Sequence, residues 1–489
     1  MRAEGWAEIC DWQVDRAAAM PLSRQIYQQV SWSILGRTLP PGMKLPSTRD
    51  LAARLGVARA SVVVAYEQLL AEGYIYGKIG SGTYISSDLP EPIGAKPLRG
   101  KVMRRPAGAT PGFTETAESP AQSDERPFNL GRTLVDARTV EVWRKLTHRA
   151  VRSLGPSHLG YSDPSGFAEL RKTISDYLQA ARIVCCDPAQ VIVTAGTQHA
   201  IDIVLRVLLD RGDEVWVEDP GYSLTYDALA AVGAKARPIR VDKHGIDVAA
   251  GIRAAPRARA VFVTPSHQFP LGVVLSMSRR LELLAWARAT RAWIIEDDYA
   301  SEFRYGGRPL ASLQGLDDSG RVIYIGTLNK ALFPGLRMGY VVVPHALLRA
   351  FVGARYLMDR QPPSLQQTVV AEFMRQGHFA SHLRRTRLQY RDQRDALATE
   401  FTRLLGGHLQ VDTPDQGMHL VAYLREGLSD VDIERTALDR GIVVRAISRL
   451  YRKAPPRSGL MLGFAGYPRP LILSAAAQFA QAVRDRLMC

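Results

Sequence analysis

The chain has 489 residues, of which 46% are hydrophobic and 23% charged, and it carries a formal net charge of +15. A chain of this length exceeds what one hydrophobic core usually supports, so we expect two or three domains. The sequence has no run of 18 or more apolar residues, and its start lacks the basic-then-apolar order of a signal peptide, which argues against a membrane or secreted protein and favours the cytoplasm.

The first predicted domain, residues 18–87, combines three helices with a β-hairpin. Ser47 is placed to cap the second helix, Gly56 forms the turn after it, and the third helix runs from about Ala60 to Glu72. Two helices joined by a short glycine-containing turn are typical of a helix-turn-helix, whose second helix enters the major groove of DNA. The apolar positions predicted for the core are Ile26, Val30, Ile34 and Leu35 on the first helix, Leu51, Ala52 and Leu55 on the second, and Val62, Ala65, Tyr66 and Leu69 on the third.

The hairpin is predicted from residues 74–76 and 83–85, which flank a glycine-rich turn and form a wing beside the third helix. Gly80 and Gly82 allow the wing backbone to approach the sugar-phosphate chain of DNA. Arg59, at the start of the third helix, has the forked guanidinium that binds guanine or phosphate. Arg49 has two interpretations, a DNA contact or a surface salt bridge.

Residues 88–127 are rich in Pro, Gly, Ala, Ser and Thr and are predicted to form a flexible linker. One stretch of it is basic and contains no acid, so it either tracks a phosphate backbone or is a solvated linker, the interpretation we favour. The cations of this stretch are Lys96, Arg99, Lys101, Arg104 and Arg105.

The third segment, residues 128–489, alternates helical patterns with short β-branched runs. Strands buried on both faces of a sheet appear as continuous apolar runs, so this alternation predicts an α/β fold with a mostly parallel sheet. The last part, about 385–489, predicts a smaller α+β lobe. The predicted sheet strands lie at 190–196, 213–221, 259–266, 292–299 and 321–327.

Net charge and cysteines add little to this organisation. Residues 1–87 carry a net charge of only +2, so about +13 lies in residues 128–489. Such an excess suits a polyanionic partner but is weak evidence alone. The four cysteines, Cys10, Cys185, Cys186 and Cys489, are too scattered for a disulfide framework and lack metal-ligand spacing, so we predict structural thiols and no bound metal.

Several predicted strands end in residues that suit a bound phosphate and amine chemistry. Gly196 and Thr197 open a helix, whose N-terminal N–H groups bind anions. Asp297 follows a buried apolar run, and a buried acid requires a cationic partner such as a protonated pyridine nitrogen. Lys330 in a dry pocket has a depressed pKa and can form a Schiff base. Arg337 offers two parallel donors to a phosphate.

The segment LPSTRDLAARLGVARASV, followed by LLAEGYIYGKIGSGTYI, resembles the winged-helix domain of the GntR family over about 65 residues. The family more often has polar side chains where Ala58 and Ala60 stand, which alters base readout. The resemblance implies DNA contacts from Arg49, Arg59 and Ser61 on the helices and from Lys78, Gly80 and Ser81 in the wing.

The strings GYSDPSGFAELR, VTAGTQHAID, WVEDPGY, VTPSHQFPLGVVLS, IIEDDYASEFRY and YIGTLNKALFPGLRMGY resemble fold-type I aminotransferases. As a set they are similar to the MocR/GabR regulators, which join a GntR winged helix to an aminotransferase-like domain through a linker. The resemblance covers nearly the whole chain from residue 20. It implies pyridoxal 5'-phosphate (PLP) as cofactor, promoter double-stranded DNA as partner, a small amino compound as effector, and a domain-swapped homodimer.

The resemblance also implies a role for each matching residue. Lys330 would hold PLP as a Schiff base, Asp297 would pair with the pyridinium nitrogen, and Tyr299 would hydrogen-bond the ring 3-oxygen. Tyr222, whose alternative is a core tyrosine, would stack on the ring, and Tyr161 would reach the site of a neighbouring subunit. The phosphate would be held by Gly196, Thr197, Gln198, Thr327 and Arg337, and His267 and Gln268 would sit beside the ring.

Two positions depart from the family pattern. Asn329 stands where many relatives have serine, which changes a local hydrogen bond. Leu224 stands where a GABA-responsive member carries an arginine for its effector, so that ligand does not carry over. We expect Arg449 to bind the carboxylate of an effector, with Arg445 as the alternative.

Three hypotheses remain open from the sequence. The first is a regulator whose PLP site senses an amine or amino acid. The second is an active aminotransferase with an accessory DNA-binding domain, since Lys330 also suits proton transfer. The third is a regulator for which PLP itself is the signal.

Overall fold

The computed structural model describes residues 11–88, 125–307, 310–425 and 427–487. The chain divides into two compact units, residues 1–105 and 106–489, and each is described by itself. Residues 89–124, which include the basic stretch of the predicted linker, lie outside the described residues.

The first unit is a three-helix domain with a two-stranded wing, as predicted. Its elements are α1 (Leu22–Leu35), α2 (Thr48–Leu55), α3 (Arg59–Ala71), β1 (Ile75–Lys78) and β2 (Gly82–Ile85). The two strands are antiparallel, with Ile75 opposite Ile85 and Lys78 opposite Gly82. Gly80 and Gly82 have φ angles of 73° and 120°, a region that favours glycine because it lacks a Cβ atom.

The core of this unit is nearly the predicted one. Nine of the eleven predicted positions are buried, Leu55 is partly buried, and Leu35 is 36% exposed. Leu35 was predicted wrongly because it follows Ile34 by 100° around the helix, and Ile34 takes the inward position. Trp12 and Val14, which precede the predicted boundary at residue 18, also pack against this core.

The cap of α2 is the one that the sequence predicts. Ser47 Oγ accepts a hydrogen bond from the Asp50 N–H (3.2 Å) and donates one to Asp50 Oδ2 (2.6 Å). At the other end of α2, Gly56 adopts the left-handed conformation with φ 63°. The two ends therefore fix the length of α2, the helix that precedes α3.

Replacing Ser47 with Ala is expected to destabilise the start of α2 by about 1 kcal/mol, because one amide donor loses its partner. Hydrogen–deuterium exchange of residues 47–56 in the full chain should then become roughly fivefold faster. Ser47→Asn, which keeps a capping oxygen, should exchange like the wild type. Equal exchange in the alanine and wild-type proteins would contradict this role.

The second unit is an α/β fold built on an eight-stranded sheet. Its strands are β3 (Val191–Thr194), β4 (Glu214–Asp219), β5 (Lys235–Asp242), β6 (Gly245–Ile246), β7 (Ala260–Val263), β8 (Trp293–Asp298), β9 (Val322–Thr327) and β10 (Gly339–Val342). They are ordered β3-β10-β9-β8-β7-β4-β5-β6. β10 and β6 run opposite to the other six, so the sheet is mixed and mostly parallel, as predicted.

Helices cover both faces of this sheet, which explains the continuous apolar runs. Alternate residues of β4 enter different cores: Val215 and Val217 lie in one cluster, and Trp216 lies in another against Trp286. The helices of the large lobe are α4 (Ala137–Arg152), α5 (Pro156–Leu159), α6 (Ala168–Arg182), α7 (Thr197–Leu208), α8 (Ser223–Val232), α9 (Val248–Ala254), α10 (Met277–Thr290), α11 (Leu313–Leu316), α12 (Leu328–Ala331), α13 (Leu348–Asp359) and α14 (Ser364–Arg375).

The small lobe is an antiparallel four-stranded sheet with helices, matching the predicted α+β lobe. Its elements are α15 (His378–Leu405), β11 (Leu409–Asp412), β12 (His419–Leu424), α16 (Asp430–Asp439), β13 (Arg445–Ala446), β14 (Gly459–Gly463) and α17 (Arg469–Leu487). The strand order is β11-β12-β14-β13. Since α15 begins before residue 385, one long helix joins the two lobes.

Two features of the described residues bear on the class of protein. None of their helices is both long enough and apolar enough to span a membrane. Cys185 is exposed and Cys186 is buried, and both are free thiols. Cys10 and Cys489 lie outside the described residues.

Candidate functional site

The candidate site lies at the carboxyl edge of the large sheet, where the parallel strands end together. β8 delivers Asp297, and β9 ends at Thr327, three residues before Lys330. β10 runs antiparallel to its neighbours, so its first residue, Gly339, lies opposite both Thr327 and Thr194. The segment before β10, which contains Arg337, is therefore brought to the same edge. Ligands of open α/β sheets bind at this edge.

Lys330 lies in a cavity of about 240 Å³ at this edge. Its side chain is half-buried, and loss of hydration inside the protein lowers the pKa of its amine to about 8. A larger fraction of the amine is therefore uncharged and nucleophilic near neutral pH than for an exposed lysine. The cavity is lined by Leu130, Gly131, Thr197, Gln198, Tyr222, Thr264, Phe269, Asp297, Tyr299, Thr327, Asn329, Lys330, Pro334, Arg337, Met418 and His419.

Two polar side chains of the cavity lining, one on β8 and one just after it, have buried atoms that lack a hydrogen-bond partner. Asp297 Oδ1 and the Tyr299 hydroxyl have no hydrogen-bond partner among the described residues. Burial, together with the charges of Asp298 and Glu218, raises the pKa of Asp297 to about 8. The charged form of the Asp297 carboxyl is therefore disfavoured in the chain alone, and a ligand that donates a hydrogen bond or carries a positive charge there would stabilise it.

The end of the cavity beside α7 suits an anion. Gly196 has a φ angle of 99°, and a Cβ atom there would lie 2.9 Å from Asn329 Nδ2, so only glycine fits. The guanidinium of Arg337 is close by, and its Nη2 donates to the Ala195 carbonyl (3.0 Å). Gln198 Oε1 is buried without a partner. The N-terminus of α7 and the Arg337 guanidinium both offer N–H donors, which suits an anion at this end of the cavity.

Asn329 and Thr327 shape the turn that carries Lys330. Thr327 Oγ1 accepts a hydrogen bond from the Asn329 N–H (3.2 Å). Asn329 Oδ1 accepts one from the Met338 N–H (2.9 Å), which ties this turn to the segment before β10. Asn329, which stands where many relatives have serine, therefore forms a hydrogen bond between the turn that carries Lys330 and the segment that carries Arg337.

Tyr222 and Phe269 form an aromatic part of the cavity wall. Their rings meet edge to face, with centroids 5.6 Å apart. Burial raises the pKa of Tyr222 to about 12, so its hydroxyl is neutral. An aromatic, uncharged surface therefore lines this part of the cavity, and the stacking role of Tyr222 stays a prediction.

His267 and Gln268 do not line the cavity. A Cβ atom at Gly417 would lie 2.2 Å from His267 Nε2, so the small lobe encloses this ring. Gln268 Nε2 donates to the Pro220 and Phe269 carbonyls (2.9 and 2.6 Å). Phe269, the residue that follows them, lines the cavity instead.

Three residues predicted to take part in a site do not line this cavity: Arg449, Arg445 and Tyr161. Arg449 forms an ion pair with Glu434 (3.0 Å), and its side chain is 59% exposed. Glu434 also interacts electrostatically with Arg445. Neither arginine lines the cavity, so this geometry does not support an effector role for them. Tyr161 is 80% exposed and lies against the guanidinium of Arg360 (4.4 Å to the ring centroid).

The sequence prediction missed the residues that close the cavity, Leu130, Phe269, Met418 and His419. Met418 and His419 arrive from β12 and the turn before it, nearly 90 residues after Lys330. His419 Nε2 lies 2.9 Å from the Pro270 carbonyl, which fixes the ring. A single buried histidine at the start of an apolar strand was the only signal in the sequence, and this pattern more often marks a core residue.

Behind Asp297, a buried polar network supports β8. Asp298 Oδ2 accepts hydrogen bonds from Arg182 Nε (2.8 Å) and the Tyr324 hydroxyl (2.6 Å). The same arginine donates to Ser266 Oγ (2.7 Å). Arg182 and Asp298 are both almost fully buried. Asp298 is therefore paired with a cation, whereas Asp297 forms no ion pair with the described residues.

In the first unit, the predicted DNA contacts lie at the starts of α2 and α3 and on the wing. Arg49, Arg59, Lys78 and Gly80 are exposed, and Ser61 and Ser81 are half-buried. Arg59 Nε donates to Thr48 Oγ1 (3.2 Å), which connects the first turns of α2 and α3. Ala58 precedes α3 without a side-chain cap. Lys44 is an additional cation here, since its stem would lie 2.7 Å from a Cβ atom at Gly82.

Comparison with known proteins gives the same two-part division. Residues 22–85 match the family of bacterial regulatory proteins described as the gntR family, and residues 127–459 match aminotransferase class I and II. The probable rhizopine catabolism regulatory protein MocR of Rhizobium meliloti is 39% identical over 93% of this chain and 92% of its own length. The chain belongs to the MocR family of transcriptional regulators.

Other relatives of this regulator agree. The pyridoxine biosynthesis regulator PdxR of Corynebacterium glutamicum is 31% identical over 94% of this chain and 95% of its own length. Among solved structures, the α-aminoadipate aminotransferase LysN of Thermus thermophilus matches with a TM-score of 0.69, 26% identity, and coverage of 77% of this chain and 97% of LysN. The large unit therefore has the fold-type I aminotransferase architecture that was predicted, and the chain is a transcriptional regulator with a GntR-type domain.

Proposed function

We propose that this regulator holds PLP at Lys330, senses a small amino compound there, and changes its binding to promoter DNA accordingly. The observation that carries the proposal is the cavity around Lys330. It combines a half-buried amine with a lowered pKa, an unpartnered carboxyl oxygen and donors suited to an anion in a chain whose family regulates transcription. The same family membership favours regulation over an aminotransferase with an accessory domain.

The unsatisfied groups of the cavity fit PLP. Asp297 Oδ1 needs a donor, the Tyr299 hydroxyl needs an acceptor, and the site at Gly196 and Arg337 needs an anion. The cofactor offers a pyridinium N–H, a ring oxygen and a phosphate for these three places. LysN was solved with a phosphopyridoxyl compound in the equivalent fold. When bound, PLP supplies an aldehyde carbon that exchanges between primary amines.

The residues of the chain have separable roles in this proposal. Lys330 provides the resident amine, and its lowered pKa keeps part of it deprotonated for exchange. Asp297 holds the positive charge of the ring nitrogen in a dry site, and Tyr222 covers one ring face. Arg337, Thr327 and the N-terminus of α7 orient the phosphate. None of these roles requires turnover, so they suit a sensor.

We also propose a domain-swapped homodimer in which Tyr161 reaches the partner's site. Tyr161 and neighbouring apolar side chains are unusually exposed in the single chain, with Leu159 77% and Leu357 86% exposed. An exposed apolar patch of this kind marks a protein interface. A pair of winged helices also matches the two-fold symmetry of operators.

DNA binding is tested by selecting duplexes from a random library with the PLP-loaded full chain, then measuring affinity by fluorescence anisotropy. We expect an added amine to change that affinity, and no specific duplex under any condition would refute the proposal. Arg59→Ala is expected to weaken binding by about 1–3 kcal/mol, roughly 5- to 150-fold. Arg24→Ala, on α1 and outside the predicted contacts, is the matched control. Equal affinity of the Arg59 variant and wild type would refute the role of Arg59.

A further inference from the structure

The cavity wall that lies outside the predicted cofactor contacts is largely apolar. It consists of Leu130, Phe269, Met418 and His419, with Gly131, Pro334 and two polar residues, Thr264 and Asn329. Thr264 Oγ1 donates to Glu218 Oε2 (2.6 Å) and Asn329 Oδ1 accepts from the Met338 N–H (2.9 Å), so both polar side chains already have partners. A separate apolar cluster backs this wall. That cluster contains Val421, Tyr423, Ile447 and Met461, with Leu130, Phe269, Leu271 and Leu450 packed against it. A ligand group placed here meets hydrocarbon and aromatic surface.

The cationic side chains of the cavity are not part of this apolar wall. Of the described residues that line the cavity, Lys330 and Arg337 carry the cationic side chains, and Arg337 already donates to Ala195 at the phosphate end. Arg445 and Arg449 interact with Glu434 and do not line the cavity. Among the described residues, a carboxylate at the apolar wall would therefore lack a guanidinium partner.

His419 does not replace the missing cation. Burial lowers its pKa, and the nearby charge of Lys330 lowers it further, while the bond to the Pro270 carbonyl acts in the opposite direction. The imidazole is therefore neutral at physiological pH. Its Nε2 is engaged with the Pro270 carbonyl, so the ring contributes a polar edge to the wall without a positive charge.

We infer that the ligand sensed at this site is a primary amine whose remaining part is uncharged and mainly apolar, and not an amino acid. This inference rests on the proposed function. A carboxylate buried against such a wall loses its hydration without gaining a partner, at a cost that exceeds the packing gain of a small side chain. An apolar group gains from the same burial.

The exchange at Lys330 balances without any oxidant or reductant. The nitrogen of the incoming amine bonds to the cofactor carbon that Lys330 Nζ releases. The two hydrogens of that amine end on Nζ, which leaves as a free amine. The same step serves an amine and an amino acid, so only the wall distinguishes them.

The test compares amines with the amino acids that differ from them by one carboxylate. The PLP-loaded full chain is titrated with 2-phenylethylamine or L-phenylalanine, and with 3-methylbutylamine or L-leucine, while the absorbance band of the cofactor is followed. We expect half-maximal change at a concentration at least about tenfold lower for each amine than for its amino acid. Equal or stronger responses to the amino acids, or no response to either amine below about 10 mM, would overturn the inference.

A variant tests the wall directly. Met418→Arg adds a guanidinium there and should lower the half-maximal concentration of L-phenylalanine by at least about tenfold. Met277→Arg, at an exposed position on α10 outside the cavity lining, should leave it unchanged. If Met418→Arg does not fold, the wild-type comparison decides alone. A wild-type chain that shows no cofactor band refutes the proposed function itself, whereas a band with the wrong preference refutes only the ligand class.

Discussion

Lys330→Ala is expected to abolish the covalent retention of PLP. In wild type, borohydride treatment followed by gel filtration in denaturant should leave one phosphopyridoxyl group on the chain, detected by mass spectrometry. The variant should carry none, because the described cavity lining offers no second lysine. Lys453→Ala, a substitution of an exposed lysine of the same unit, should retain the cofactor like wild type.

The pH dependence of attachment gives a second measurement of the same residue. Burial lowers the pKa of Lys330 from its ordinary 10.5 to about 8. Only the deprotonated amine attacks an aldehyde, so the rate of attachment to the cofactor-free chain should rise with pH and reach its half-maximum near pH 8. Retention in Lys330→Ala, or a half-maximum near 10.5, would show that another amine or an exposed lysine is responsible.

Asp298→Asn is expected to lower the free energy of unfolding of the large unit by about 3–5 kcal/mol. The substitution removes the charge that compensates Arg182, and both side chains are almost fully buried (5% and 0% exposed). An uncompensated buried guanidinium costs much more than the loss of one hydrogen bond. Urea denaturation followed by tryptophan fluorescence measures the change, since Trp216 and Trp286 stack in the core of this unit.

Asp318→Asn is the matched control for this experiment. Asp318 pairs with Arg288 at the surface, where the two side chains are 69% and 60% exposed. Screening by water limits such a pair to about 0–1 kcal/mol. If the two variants lose similar stability, the buried network does not support β8 in the way described.

Much of this structure was predictable because the signals are local. The five strands predicted for the large sheet, β3, β4, β7, β8 and β9, contain continuous buried apolar runs, and a chain buried on both faces has few other ways to satisfy its backbone. β5, with the sequence KARPIRVD, lacks such a run and was not predicted. Ser47 and Gly56 mark the ends of α2 by short-range hydrogen bonds and backbone conformation. Lys330, Asp297 and Arg337 were found because strand ends that carry polar residues meet at one sheet edge.

The remaining features depend on contacts between distant segments. His267 and Phe269 are two residues apart, and the sequence does not indicate which of them lines the cavity. The structure shows that the small lobe encloses His267, which leaves Phe269 in the lining. Met418 and His419 read as ordinary members of an apolar strand. Leu35 was predicted wrongly for a simpler reason. The buried stripe of a helix is narrow, so of the adjacent apolar residues Ile34 and Leu35 only Ile34 lies in it.

Two members of the apolar wall come from a different lobe than the groups that would hold PLP. Met418 and His419 belong to the small lobe, whereas Asp297, Lys330 and Arg337 belong to the large sheet and its loops. A change of ligand can therefore arise from a few substitutions after residue 405, with the cofactor chemistry left intact. New sensors can be obtained from this scaffold by randomising the small-lobe wall alone, which makes the architecture easy to diversify.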